Sequence, residues 1–219
     1  MGDVRADISV SIDGFITGSN VGPGNGLGNG GERLHEWLVG LESFRELHHG
    51  EGGERTRDSE ILAESFDGVG AFVMGRGMFD SGEEPWGPEP PFDMPVFVMT
   101  HEQREPLVKA ATTFVFVEDD AVGVLGRARE AAGDGAVSVL GGGRAIQQFL
   151  EAGVLDSLQL HLVPIVLGGG TPLFENLSRD VELRIDRVVD SPGVTHVRYL
   201  SRERSGIGAQ KRTSRANAP

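Results

Sequence analysis

From Ala71 to Leu167 short apolar runs alternate with helical ones, and that alternation leaves few folds open. Ala71–Met74, Val96–Thr100, Thr113–Val117, Ala136–Leu140 and Leu158–Leu167 are each expected to be a buried strand. Asp120–Ala132 and Arg144–Ala152 have helical spacing. Asp119 or Asp120 would cap the first, and Gly133 and Gly153 would stop each in turn. Strands joined through helices run parallel, and a parallel sheet has both faces covered. Val181–Val189 and Val194–Ser201 alternate around Asp190–Gly193, which predicts an antiparallel hairpin. The expected fold is α/β: a three-layer sandwich with a mostly parallel central sheet and a C-terminal antiparallel hairpin.

The chain before Ala71 is less regular. Val4–Ile12 alternates apolar and polar residues and ends at Asp13-Gly14, a strand followed by a turn. Gly18–Gly31 has seven glycines in fourteen residues and predicts a long flexible loop, a candidate lid. Glu32–Leu47 carries Leu34, Trp37, Leu38, Leu41, Phe44 and Leu47 at helical spacing, and Ser59–Phe66 predicts a short helix. With 219 residues the chain suits one domain, here 1–200, followed by a basic tail, 201–219, expected to be disordered.

Several classes of function drop out. There is no cysteine, hence no disulfide, iron–sulfur or thiolate zinc site. The six histidines, at 35, 48, 49, 101, 161 and 196, are scattered, and His35-Glu36 lacks the second histidine of a zincin helix. No metal is expected. The start has no basic and apolar leader and no run could span a bilayer, so a cytoplasmic protein without membrane contact is expected. Net charge is −13; removing the +4 tail leaves −17 on the body. Such a body repels phosphates, so no nucleic-acid partner is expected, tail contact with RNA or membrane being the minor alternative.

Two places could hold an anion. Val137–Leu140 runs into Gly141, Gly142 and Gly143 and then a helix beginning with Arg144, Ala145 and Ile146. Glycines admit a ligand close to backbone N–H groups, and a helix N-terminus favours negative charge, so a pyrophosphate suits it. A plain tight turn is the other reading. Ala71–Met74 ends in Gly75-Arg76, where a guanidinium fork could meet a phosphate or simply lie in a surface turn. A third glycine run, Gly168–Gly170, reads as a bend at the same edge.

Together these segments resemble the dihydrofolate reductase-like superfamily, in particular stand-alone proteins similar to the C-terminal reductase domain of the riboflavin-biosynthesis deaminase-reductase. The resemblance rests on Ser11–Ile16, Val73–Phe79, Val98–His101, Val139–Arg144 with Gln148–Leu150, and Asp156–Phe174. It implies NADPH as cofactor. Gly75 and Arg76 with Thr100 and His101 would flank the adenosine and its 2′-phosphate. Gly141–Ile146 would hold the pyrophosphate, and Ile16 with the following loop would cover the nicotinamide. It also implies a homodimer. Phe15 stands where riboflavin-pathway reductases carry lysine, and their longer phosphate segment after the second strand is missing. Glu32 and Glu36 are candidates for the acid that would bind a pterin.

The implied function is an NADPH-dependent reductase of a small heterocyclic or carbonyl substrate. The proton donor is open among water, Asp13 and Glu36. The alternatives are a non-catalytic NADPH-binding module and a 5-amino-6-(5-phosphoribosylamino)uracil reductase of riboflavin biosynthesis.

Overall fold

The computed structural model describes residues 2–201, apart from Pro23 and Asn176. Among them one nine-stranded sheet is built from β1 (Val4–Ser11), β2 (Val69–Gly75), β3 (Pro95–Met99), β4 (Leu107–Lys109), β5 (Thr112–Val117), β6 (Ala136–Gly141), β7 (Ser157–Val163), β8 (Leu183–Ser191) and β9 (Val194–Ser201). Their order is β4-β5-β3-β2-β6-β1-β7-β9-β8. The six strands from β5 to β7 pair in parallel. β4 is an antiparallel edge, and β9 and β8 add the antiparallel hairpin beyond β7.

Side-chain alternation explains the layers. Ala71 and Val73 of β2 face the same core as Val137 and Val139 of β6, beneath α5 (Ala121–Ala132) and α6 (Gly143–Glu151). Phe72 and Met74 point the other way, into a core with Phe79 of α4 (Arg76–Gly82), Val96, Val98 and Phe114. On that second face also lie α1 (Glu36–Val39), α2 (Glu42–Leu47) and α3 (Arg57–Phe66), which pack through Leu38, Leu41 and Leu62. Phe72, Phe79, Phe114 and Phe149 are almost wholly buried, each worth roughly 1.5–3 kcal/mol. Asp120 caps α5, its carboxylate accepting from the N–H groups of Val122 and Gly123 at 3.0 and 2.9 Å.

Several details differ from expectation. The stripe 32–47 is three pieces, a 3₁₀ turn at Gly31–His35, then α1 and α2, because Gly40 and Leu41 break the run. Arg76–Gly82 is a helix rather than a turn, and β7 stops at Val163. Among the described residues no helix is long and apolar enough to cross a membrane. The tail from residue 202 onward lies outside the described residues.

Candidate active site

Adjacent parallel strands β2 and β6 end in glycine at the same edge of the sheet, and each is followed at once by a helix. Gly141 and Gly142 have φ of 134° and 58°, conformations that side chains resist. A Cβ on Gly142 would stand 4.0 Å from the Cα of Gly75, and one on Gly75 would stand 3.8 Å from the Cβ of Ala145 and from the Gly141 carbonyl oxygen. The missing side chains leave a shallow cradle between the two strand ends. No side chain caps α6, so no capping group offsets its N-terminal partial positive charge.

Ile16 closes one end of this edge. It is buried, its N–H donates to the Thr171 carbonyl at 2.9 Å, and its Cδ1 would stand 3.4 Å from a Cβ on Gly143. Gly75, Gly141, Gly142, Gly143, Ala145 and Ile16 therefore gather at one place. Ile146 lies in the core and Arg144 is exposed on the first turn of α6.

Arg76 leaves the other end of the edge as the first residue of α4. Its guanidinium donates to Asp80 at 2.6 Å and to Glu102 at 3.0 Å, with the Thr100 hydroxyl 3.5 Å away. Its pKa rises above the usual value, mainly through the bond to Asp80. Thr100 is buried, and its hydroxyl accepts from the Glu102 N–H at 3.1 Å. His101 is exposed beside it. The local cation is thus shared by two carboxylates.

Asp13 is a clamp. Its carboxylate accepts from the Ser11 hydroxyl at 2.6 Å and from the N–H groups of Leu167 and Gly168 at 3.1 and 2.7 Å. The Ser11 bond leads the causes that hold its pKa below the ordinary carboxylate value. It ties the turn after β1 to the third glycine run. Glu36 is exposed on α1.

The loop 18–31 corrects an expectation: it is a pinned hairpin. Ser19 bridges Asn29 and Gly22 bridges Asn25, and the Gly18 N–H donates to the Leu27 carbonyl at 2.7 Å. Its glycines permit close backbone packing. A Cβ on Gly28, at φ 70°, would overlap the Gly18 and Ser19 carbonyls. A Cβ on Gly26 would stand 2.6 Å from the Ser81 Cβ, so the loop reaches from Ile16 to α4 across the glycine edge.

A buried polar seam escapes sequence reasoning. Asp7, Ser9 and Ser11 of β1 share a face with Gln159 and His161 of β7 and His196 of β9. His161 Nε2 faces Asp7 Oδ1 at 2.7 Å, and His196 Nε2 faces Asp58 Oδ1 at 3.1 Å. Ser65 of α3 donates to Asp7. Trp37 covers both imidazoles at 4.6 and 5.0 Å and donates to Ser9 at 3.1 Å. The usable signal is the alternation of Val4–Ile12. In a three-layer fold the polar face of such a strand is also covered.

Residues 3–197 match the family described as the RibD C-terminal domain. The chain belongs to that family. YyaP of Bacillus subtilis (strain 168) is 22% identical over 170 residues, 74% of this chain and 90% of YyaP. A Shewanella sp. PV-4 structure, named as a candidate riboflavin-biosynthesis protein, is 22% identical with a TM-score of 0.66, covering 91% of this chain and 98% of that one. The Thermotoga maritima diaminohydroxyphosphoribosylaminopyrimidine deaminase/5-amino-6-(5-phosphoribosylamino)uracil reductase is 12% identical with a TM-score of 0.54. There the match covers 91% of this chain but 56% of the larger protein. Family and fold together support a reductase of the riboflavin-pathway type.

Proposed function

We propose that this member of the RibD C-terminal domain family is an NADPH-dependent reductase of a small heterocyclic or carbonyl substrate. The observation that carries the reading is the paired glycine ends of β2 and β6. Their cradle would be filled by Cβ atoms, and it lies beside an uncapped helix N-terminus. Gly141–Ala145 would hold the pyrophosphate through backbone N–H groups. Gly75, Arg76, Thr100 and His101 would flank the adenosine end, with Arg76 exchanging Glu102 for the 2′-phosphate. Ile16 and the loop 18–31 would cover the nicotinamide, which supplies the hydride when bound. The chain's own work is then orientation and exclusion of water. Asp13, held ionised and engaged in the clamp, is a poor acid, so the proton is assigned to water.

Phe15 argues for a substrate other than the phosphoribosylamino-pyrimidine. It occupies the position of the lysine that the riboflavin-pathway resemblance leads one to expect, and it bridges Pro172. Fluorescence titration with NADPH tests the binding, and NADPH oxidation over a panel of heterocycles and carbonyl compounds tests the reaction. Saturable binding with turnover of a panel compound is expected. Binding with no turnover across the panel favours the non-catalytic module. Turnover of the phosphoribosylamino-pyrimidine at about 1 per second or more would return the riboflavin reaction.

A further inference from the structure

The polar seam opens at its far end into a cavity of about 30 Å³ beside Arg5, Asp7, Glu64, Gln159, Arg187 and Arg198. It lies at the amino ends of β1 and β7, the opposite edge of the sheet from the glycine cradle. Gln159 is nine-tenths buried, and its Nε2 has no hydrogen-bond partner. Arg5 Nε is likewise buried and unpartnered, although the same guanidinium reaches the Asp67 carbonyl. Burying a donor without an acceptor is costly, so two on one cavity point to an acceptor there.

The charges say which kind. Arg187 is paired with Glu64 at 2.6 Å, and Asp7 with His161. Arg5 faces a carbonyl, and Arg198 stands 3.7 Å from Asp186. With Arg187 set against Glu64 and Arg198 against Asp186, Arg5 is the arginine of the lining that faces a carbonyl and no carboxylate among the described residues. The volume holds about two water-sized atoms. Two acceptor oxygens on one negative group match the two free donors, and a four-oxygen phosphate is too large.

We propose that this cavity is a second ligand site that takes a carboxylate group, one oxygen accepting from Arg5 Nε and the other from Gln159 Nε2. The cavity is partly open, so the rest of a larger carboxylic acid can extend into solvent. The site does not depend on the assignment of NADPH to the other edge.

The test uses the full chain in buffer free of carboxylates. Calorimetric titration with acetate should saturate, while phosphate and chloride at matched ionic strength should not. Gln159→Met keeps the side-chain length and removes the donor; acetate affinity should fall about tenfold or more. NADPH binding by the same variant should be unchanged, which separates this site from the cofactor reading. A formate soak of wild-type crystals gives a second readout that needs no variant. Density bridging Arg5 and Gln159 is expected. Water alone in the cavity, no saturation by acetate, or phosphate binding as well as acetate would each overturn the proposal.

Discussion

The Nδ1 atoms of His161 and His196 face one another at 2.6 Å. One must donate and the other accept. The two Nε2 atoms are directed at the carboxylates of Asp7 and Asp58. Burial first, and then the neighbouring His161, hold the His196 pKa below its ordinary 6.5. The Asp7 pKa is also lowered: burial opposes this, but His161 and Ser65 outweigh it.

Both shifts have the same sign for stability. The unfolded chain takes up protons that the folded one resists, so stability is full above the ordinary pKa and lost as pH falls through the folded one. His196 acts below about pH 6.5, and Asp7 only below about 3.8. Between pH 7.5 and 5 the melting temperature should therefore fall, and His196→Phe should flatten that slope. Asp7→Asn should cost about 3 kcal/mol or more at pH 7, because it leaves buried donors facing a broken pair. Thermal melts across pH check both; a flat wild-type profile would refute the first.

Arg76 should make NADPH bind more tightly than NADH, although Asp80 and Glu102 already hold it. Arg76→Ala should lose about tenfold in NADPH affinity and leave NADH nearly unchanged. Glu102→Gln should tighten NADPH alone, since it removes a competitor for the guanidinium. Parallel titrations of both cofactors decide it, and equal affinities in the wild type would count against the assignment.

β2 and β3 were legible because both their faces are apolar, and the glycine edge because strand, glycines and helix are contiguous in Val137–Ile146. Arg76–Gly82 was not legible as a helix: glycines at 75, 77 and 82 weaken the local signal, and packing of Phe79 supplies what propensity lacks. β4 is three residues long and exists only by pairing with β5. The histidine pair was hidden because its partners, Asp7, Asp58, His161 and His196, come from four distant elements. Glycine content suggested mobility in 18–31, whereas the same residues fit backbone against backbone.

That hairpin should resist amide exchange at Gly18 and Asn29 even without ligand, because both N–H groups are bonded at 2.7 Å. Gly28→Ala should destabilise it by about 1–3 kcal/mol, since the residue sits at φ 70° against two carbonyls. Shortening the loop should lower turnover far more than NADPH affinity, because the adenosine end is assigned to Gly75 and Arg76. Fast exchange at both amides, or normal turnover after shortening, would make the segment a passive insertion.

The chain is expected to be a homodimer that uses the hairpin edge. β8 is the last strand of the sheet, and its outer N–H and C=O groups have no neighbouring strand among the described residues. Ile185 and Val188 are 59% and 55% exposed on it, an apolar surface that an edge strand normally avoids. Arg187 divides them, but its charge is turned inward to Glu64 of α3, so it does not guard the edge. Covering β8 with its counterpart in a second copy would pair the backbone and bury both side chains at once. Light scattering should give twice the 23.4 kDa of one chain at micromolar concentration. Ile185→Lys with Val188→Lys should return the monomer with the fold intact, and a wild-type monomer at that concentration would refute the assignment.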